Sequence, residues 1–174
     1  TAFLRHATSK IQFVEDLERV HSLGFRGEAL ASIAAVSQVE IITSTDPNAS
    51  GICLKIEGGD ITEEEETAAV KGTGITVKNL FFNVPARKKF LKKPSTESTY
   101  ITDVVNKAAL AHPEVSFKYI NNGNLLLHTP GTGDLRAVAL FIFGKDFAKK
   151  MIELDCGGKT CSLEGLIGKP ELSR

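Results

Sequence analysis

Cysteine is scarce in this chain. Three occur in 174 residues, Cys53, Cys156 and Cys161, a small and odd number that reads as free thiols in a reducing compartment. Cys156 and Cys161 have no matching second pair and no nearby histidine, which argues against a zinc site. Net charge is lacking too. Twenty-one basic residues balance twenty-one acidic ones, so any contact with nucleic acid must come from a local patch. No apolar run reaches membrane-spanning length, and no stretch has the pattern of a secretory leader. Tandem repeats and low-complexity tracts are absent apart from the short run Glu63 to Glu66. Consecutive glutamates point in several directions, so that run reads as a solvated edge or hairpin tip, not as metal ligands. What remains is ordinary globular composition, 42% hydrophobic and 24% charged, at a length that fits one domain and part of another.

The chain is organised around Gly24-Phe25-Arg26-Gly27-Glu28-Ala29-Leu30. Gly24 and Gly27 let the backbone bend and let other groups approach it. The alanine-rich run that follows, to about Val36, favours a buried helix. The first N–H groups of a helix lack partners and carry partial positive charge, so a glycine turn opening a helix suits a phosphate. Arg26 adds a cation. The same two glycines equally describe a plain turn and cap.

Upstream, Thr8-Ser9-Lys10 combines hydroxyl donors with a cation. It reads either as a mobile loop touching a nucleotide or as a solvated loop capping the next helix. His6 has no carboxylate near it in sequence and reads as a packed or capping histidine. Residues 11 to 22 predict an amphipathic helix with Ile11, Val14, Leu17, Val20 and Leu23 on one face, ended by Gly24. Strands are predicted over 38–44, 52–56 and 75–80, with turns at Asp46-Pro47-Asn48 and Gly58-Gly59. Pro85 suits the first turn of a helix.

Arg87, Lys88, Lys89, Lys92 and Lys93 form the one dense basic cluster. It reads as a phosphate-backbone contact or as a basic helix surface with Phe90 and Leu91 in the core. No aromatic ladder accompanies the cations. A helix follows to about Ala111, capped by Ser95 or Thr96, with Ile101, Val104, Val105, Ala108 and Ala109 on its buried side. Asn122-Gly123 marks a hairpin between 115–120 and 125–128. Thr129 to Gly133 reads as a boundary. Beyond it we expect a helix over 135–143 and strands over 151–155 and 160–167.

Three stretches, in order, resemble the MutL family of DNA mismatch-repair proteins. They are Arg5-His6-Ala7-Thr8-Ser9-Lys10-Ile11, Gly24 to Leu30, and Phe81-Phe82-Asn83-Val84-Pro85-Ala86-Arg87-Lys88-Lys89-Phe90-Leu91. Between the last two, Gly72-Thr73-Gly74 resembles the short glycine-threonine motif of the same ATPases. The resemblance is close over about residues 3 to 92 and is one of pattern beyond. It implies an α/β (α+β) two-layer sandwich of the GHKL ATPase type, a mixed, mainly antiparallel sheet with helices on one face. Residues 1–131 would be the C-terminal part of that domain. Residues 132–174 would be the start of a second α/β domain, ribosomal protein S5 domain 2-like.

The resemblance also implies a function. Such proteins bind ATP with Mg2+, close into a homodimer and hydrolyse ATP slowly. They couple mismatch recognition by MutS to a downstream nuclease and helicase on DNA, without a membrane, in the bacterial cytoplasm at the nucleoid. Carried over residue by residue, Thr8, Ser9 and Lys10 would be lid contacts. The backbone of Gly24, Phe25, Arg26, Gly27, Glu28, Ala29 and Leu30 would cradle phosphates, with Thr73 at the adenine end. Arg87, Lys88 and Lys89 are the candidates for DNA. The family's general-base glutamate, magnesium-binding asparagine and adenine-binding aspartate would precede Thr1, and its γ-phosphate lysine would follow Arg174. We therefore read an excised fragment of the N-terminal ATPase region, with no catalytic residue or metal ligand of its own, and expect no ATP hydrolysis from it alone. Two alternatives stand beside this reading. One is another GHKL ATPase, such as gyrase B or an Hsp90-like chaperone, from which the 81–91 stretch discriminates. The other is a non-catalytic DNA-binding module built on residues 87–93.

Overall fold

The structure, a computed structural model, describes residues 2–20, 22–158 and 161–172. Thr160, expected to open the last strand, and His21, inside the expected first helix, lie outside them. The chain divides into two compact units, Thr1–Leu91 and Lys92–Arg174.

The first unit is built on a four-stranded sheet of β1 (Gln38–Ser44), β2 (Gly51–Glu57), β3 (Asp60–Thr67) and β4 (Gly72–Lys78), in the order β3-β2-β1-β4. All of its pairings are antiparallel, where a mixed sheet was expected. The alternation of β1 drives its placement: Val39 and Ile41 point inward, opposite Ile56 and Leu54 of β2. The helix α1 (Ala29–Ala34) lays Ala34 onto this face, making a core of Ala34, Val39, Ile41 and Ile56 with Phe3 and Leu54 packed against it. Small alanine side chains let helix and sheet approach closely, which gives the two-layer arrangement. Gly58 and Gly59, both at positive φ, make the tight β2–β3 turn. The glutamates of 63–66 lie along β3, the edge strand, where charge discourages pairing with another chain. Lys55 Nζ meets Glu63 Oε2 at 2.7 Å across the ladder, and that carboxylate holds the Lys55 pKa above its ordinary value.

The stretch after β4 clasps the end of α1. The Phe81 N–H donates to the Val36 carbonyl at 2.7 Å, and the Asn83 side-chain amide donates to the Ala35 carbonyl at 2.9 Å. These satisfy carbonyls that a helix end leaves without partners. Pro85 then opens the short helix α2 (Pro85–Lys88) as expected.

Two sequence expectations for this unit are corrected. Residues 11–22 do not form an amphipathic α-helix; the segment holds only a 3-10 turn, Val14–Arg19, with no buried residue. Asp16 takes the Gln12 and Phe13 N–H groups, each at 2.9 Å, and so favours a local turn. The apolar side chains Phe13, Val14, Leu17 and Leu23 remain exposed, and an isolated helix of this length is marginal without a face to bury. Phe90 is likewise exposed, at 86%, and not pinned in a core.

The second unit holds α3 (Pro94–Ala111), the hairpin β5 (Lys118–Asn121) with β6 (Asn124–His128), α4 (Leu135–Phe143), α5 (Lys145–Ala148), and the hairpin β7 (Met151–Gly157) with β8 (Ser162–Gly168). Asn122-Gly123, both at positive φ, turns β5 into β6 as the sequence predicted. The start of α3 uses Pro94 in its first turn and no side-chain cap, where Ser95 or Thr96 was expected. Glu97 instead accepts from the Lys92 N–H at 2.8 Å. Ala109, Leu127 and Val138 bring α3, β6 and α4 together in one core. Of the residues expected on the buried side of α3, Ala109 is fully buried, whereas Ile101 and Val104 are exposed. Asp134 caps α4, accepting from the N–H groups of Arg136 and Ala137, and Gly144 at positive φ ends it. Thr129 is fully buried. Its hydroxyl accepts from the Phe117 N–H at 2.9 Å and donates to the Val115 carbonyl at 3.3 Å. Packing thus divides the chain at 91/92, and the 129–133 stretch lies inside the second unit.

Candidate functional site

Two segments separated by residues 11–22 meet in the first unit. Residues 7–10 and 23–30, with Ala2, line one cavity of about 550 Å³, within the usual size range of ligand pockets. Thr8, Ser9 and Lys10 are therefore brought together with Gly24, Phe25, Arg26, Gly27, Glu28, Ala29 and Leu30. Ala2, Ala7 and Leu23 also line it and carried no signal in the sequence beyond adjacency. Thr73 is not part of this cavity. It lies in β4 beside a separate hollow lined by Ile42 and residues 68–74, and its hydroxyl meets that of Thr43 at 2.8 Å.

Backbone packing joins the two segments first. Gly27 has φ +66°, and a Cβ there would overlap the Ala7 carbonyl, with the carbonyl carbon only 2.6 Å away. Glycine is required twice over, for conformation and for space. Gly24 differs: nothing lies within 4 Å of a Cβ built on it. Polar contacts then tie the segments. Lys10 Nζ donates to the Gly24 carbonyl at 2.9 Å. His6 Nδ1 stands 3.1 Å from Glu28 Oε1, and Arg26 Nε stands 3.8 Å from Glu28 Oε2. His6 is exposed and paired with a carboxylate remote in sequence, neither packed nor capping. The Thr8 hydroxyl accepts from the Lys10 N–H at 3.2 Å.

The lining of this cavity combines charged groups of both signs, Lys10, Arg26 and Glu28, with the hydroxyls of Thr8 and Ser9. Lys10 and Arg26 supply cations, and Thr8 and Ser9 supply hydroxyl donors. The helix α1 is six residues long, shorter than the run to Val36 that was expected. Its macrodipole is correspondingly small. Asp16, just beyond, has its pKa held down by the N–H groups of Gln12 and then Phe13.

Comparison with known proteins reveals the family. Over 173 residues, 99% of the chain, it is 51% identical to the DNA mismatch repair protein MutL of Bacillus mycoides and 49% identical to that of Agathobacter rectalis. The chain belongs to the MutL family.

The chain spans 27% of the length of these MutL proteins. Its fold is that of the MutL ATPase domain. It matches the Aquifex aeolicus MutL ATPase domain complexed with ADP with a TM-score of 0.68 and 30% identity, over 83% of this chain and 56% of that one. It matches the N-terminal domain of a DNA repair protein with a TM-score of 0.72 and 26% identity, over 99% and 54%. No protein-family model matches. The GHKL-type sandwich expected from the MutL resemblance is thereby established, and the MutL reading stands over gyrase B and Hsp90-like alternatives.

Arg87, Lys88 and Lys89 lie on and just after α2, all exposed. Among the described residues none of the three is in an ion pair. Also among these, no group of three or more His, Cys, Asp or Glu could hold a metal, and no helix is long and apolar enough to cross a membrane.

Proposed function

We propose that the cavity between residues 7–10 and 23–30 is the phosphate end of an ATP site. In the intact protein that site would belong to an ATPase of DNA mismatch repair. The observation that carries this reading is the meeting of two MutL-like segments in one cavity that offers Lys10, Arg26, hydroxyl donors and a glycine at which a side chain would not fit. The relative of known structure that holds ADP supports it. Bound ATP supplies the phosphoanhydride. The residues of this chain bind and orient it: backbone N–H groups of 24–30 and the cations of Lys10 and Arg26 donate to the phosphate oxygens, and Thr8 and Ser9 close over them. Phosphoryl transfer depends chiefly on such positioning and charge stabilisation. Thr73 would take the adenine end across the sheet.

No magnesium ligand is assigned among the described residues, and no step is routed through the ion. Among the described residues Glu28 is the one carboxylate lining the cavity and it is paired with His6 and Arg26, so we assign no general base. The 174 residues alone would then bind nucleotide without turning it over. Homodimer formation, coupling to MutS, action with a downstream nuclease and helicase on DNA, and a place at the bacterial nucleoid follow from the family reading. So does the assignment of 132–174 as the opening of an S5 domain 2-like domain.

The test is ATP titration and turnover in a protein of the relatives' full length carrying this chain, with and without Gly27→Asp. Saturable binding and slow turnover, both abolished by the substitution, are expected. A folded protein that neither binds nor hydrolyses ATP would overturn the reading. A second reading rests on the exposed, unpaired Arg87, Lys88 and Lys89: this segment contacts the DNA backbone through phosphates.

A further inference from the structure

Glu28 occupies the N-cap of α1, where a carboxylate ordinarily bonds to the free N–H groups of the first turn. It does not do so here. Its two oxygens instead stand by the cavity-lining loop, one 3.1 Å from His6 Nδ1 and the other 3.8 Å from Arg26 Nε. One negative charge therefore sits inside a cavity otherwise equipped for anions. It engages one of the two cations that line the cavity, while Lys10 is engaged by the Gly24 carbonyl. His6 is held at φ +62°, a left-handed conformation that non-glycine residues seldom keep without external contacts.

We propose that Glu28 is an internal competitor for incoming phosphate: its carboxylate holds Arg26 in reserve and, through His6, staples residues 2–10 to the cradle until a nucleotide arrives. This deepens the nucleotide reading above and rests on it. A triphosphate brings more charge and more acceptor oxygens than one carboxylate, so it wins the guanidinium and the Lys10 ammonium once bound. The carboxylate occupies the guanidinium of the empty cradle and sets a threshold on affinity. Glu28 is thus a positioning residue acting on Arg26 and on the 2–10 segment. The left-handed His6 is free to relax once the staple opens.

The experiment uses a protein of the relatives' full length, compared with Glu28→Gln and His6→Asn. Amide hydrogen exchange across residues 2–10 is measured without nucleotide, and ATP affinity by titration. Glu28→Gln should speed exchange in 2–10 and tighten ATP binding by roughly two- to five-fold, the range of a partly exposed ion pair. His6→Asn should speed the same exchange, and the double variant should show no more than either alone, because both remove one contact. Unchanged apo exchange in Glu28→Gln would overturn the staple. Unchanged or weaker ATP binding by that variant, in a protein whose wild type binds, would overturn the competition and leave the ATP site standing. A wild type that does not bind ATP would overturn the site itself and the competition with it.

Discussion

Gly27 packs its α-carbon against the peptide group of Ala7, so closely that a methyl group there would stand 2.6 Å from the Ala7 carbonyl carbon. Ala7 belongs to the first MutL-like stretch and Gly27 to the second. Gly27→Ala is expected to cost about 1–3 kcal/mol from left-handed backbone strain alone, with the steric overlap added, and to lower ATP affinity more than ten-fold. Gly24→Ala, open on all sides, should change stability by no more than about 0.5 kcal/mol. Thermal melts and nucleotide titration of the pair check this. Equal behaviour of the two variants would contradict the packing.

Lys10→Met should leave the fold intact, since the ammonium is exposed and bonded to one carbonyl. ATP affinity should fall roughly ten-fold or more, because a charge-assisted bond to phosphate is lost. Lys10→Arg should recover part of it. Isothermal titration separates the three.

Thr129→Val tests the interior of the second unit. The substitution keeps the shape but leaves the Phe117 N–H without the hydroxyl that accepts it, an expected loss of about 1–3 kcal/mol for an unsatisfied buried donor. Thr129→Ser should retain most of the stability. Denaturant unfolding distinguishes them.

Asp16 predicts an acid-sensitive turn. Its folded pKa lies below the ordinary 3.8 because the N–H groups of Gln12 and Phe13 bond the charged form. The stabilisation is therefore complete above about that ordinary value and is lost as pH falls through the lowered one. Faster exchange of the Gln12 and Phe13 amides, beyond the intrinsic pH dependence, should set in only below it. Asp16→Asn should abolish the transition.

Replacing Arg87, Lys88 and Lys89 with glutamine should weaken DNA binding and reduce the salt slope by about 0.9 for each phosphate contact removed. ATP affinity should be unaffected. An unchanged slope would assign this surface to solvent.

Much of the first unit was legible because short-range chemistry decides it. Val39 and Ile41 alternate with Gln38 and Glu40, and Gly58-Gly59 demands a tight turn. The residue types of 8–10 and 24–30 suggested a phosphate site or a plain turn and capping loop, and composition alone left the two readings side by side. The failed helix over 11–22 shows where periodicity stops being informative. An apolar stripe makes a helix only when a surface exists to bury it, and Asp16 found a cheaper local turn.

The sequence by itself thus determined β1, β2, β4, the turns at Gly58-Gly59 and Asn122-Gly123 and the helix over 135–143, since each depends on neighbours a few positions apart, while β3 and the helix caps were not read from it. Only the tertiary structure decided that Ala7 meets Gly27, that His6 meets Glu28, and that Asn83 reaches back to the end of α1. It also decided that Thr73 stands outside the cavity. These are contacts between segments whose separation leaves no periodic trace, and they follow from how the sheet and α1 pack, a cooperative outcome no local pattern encodes.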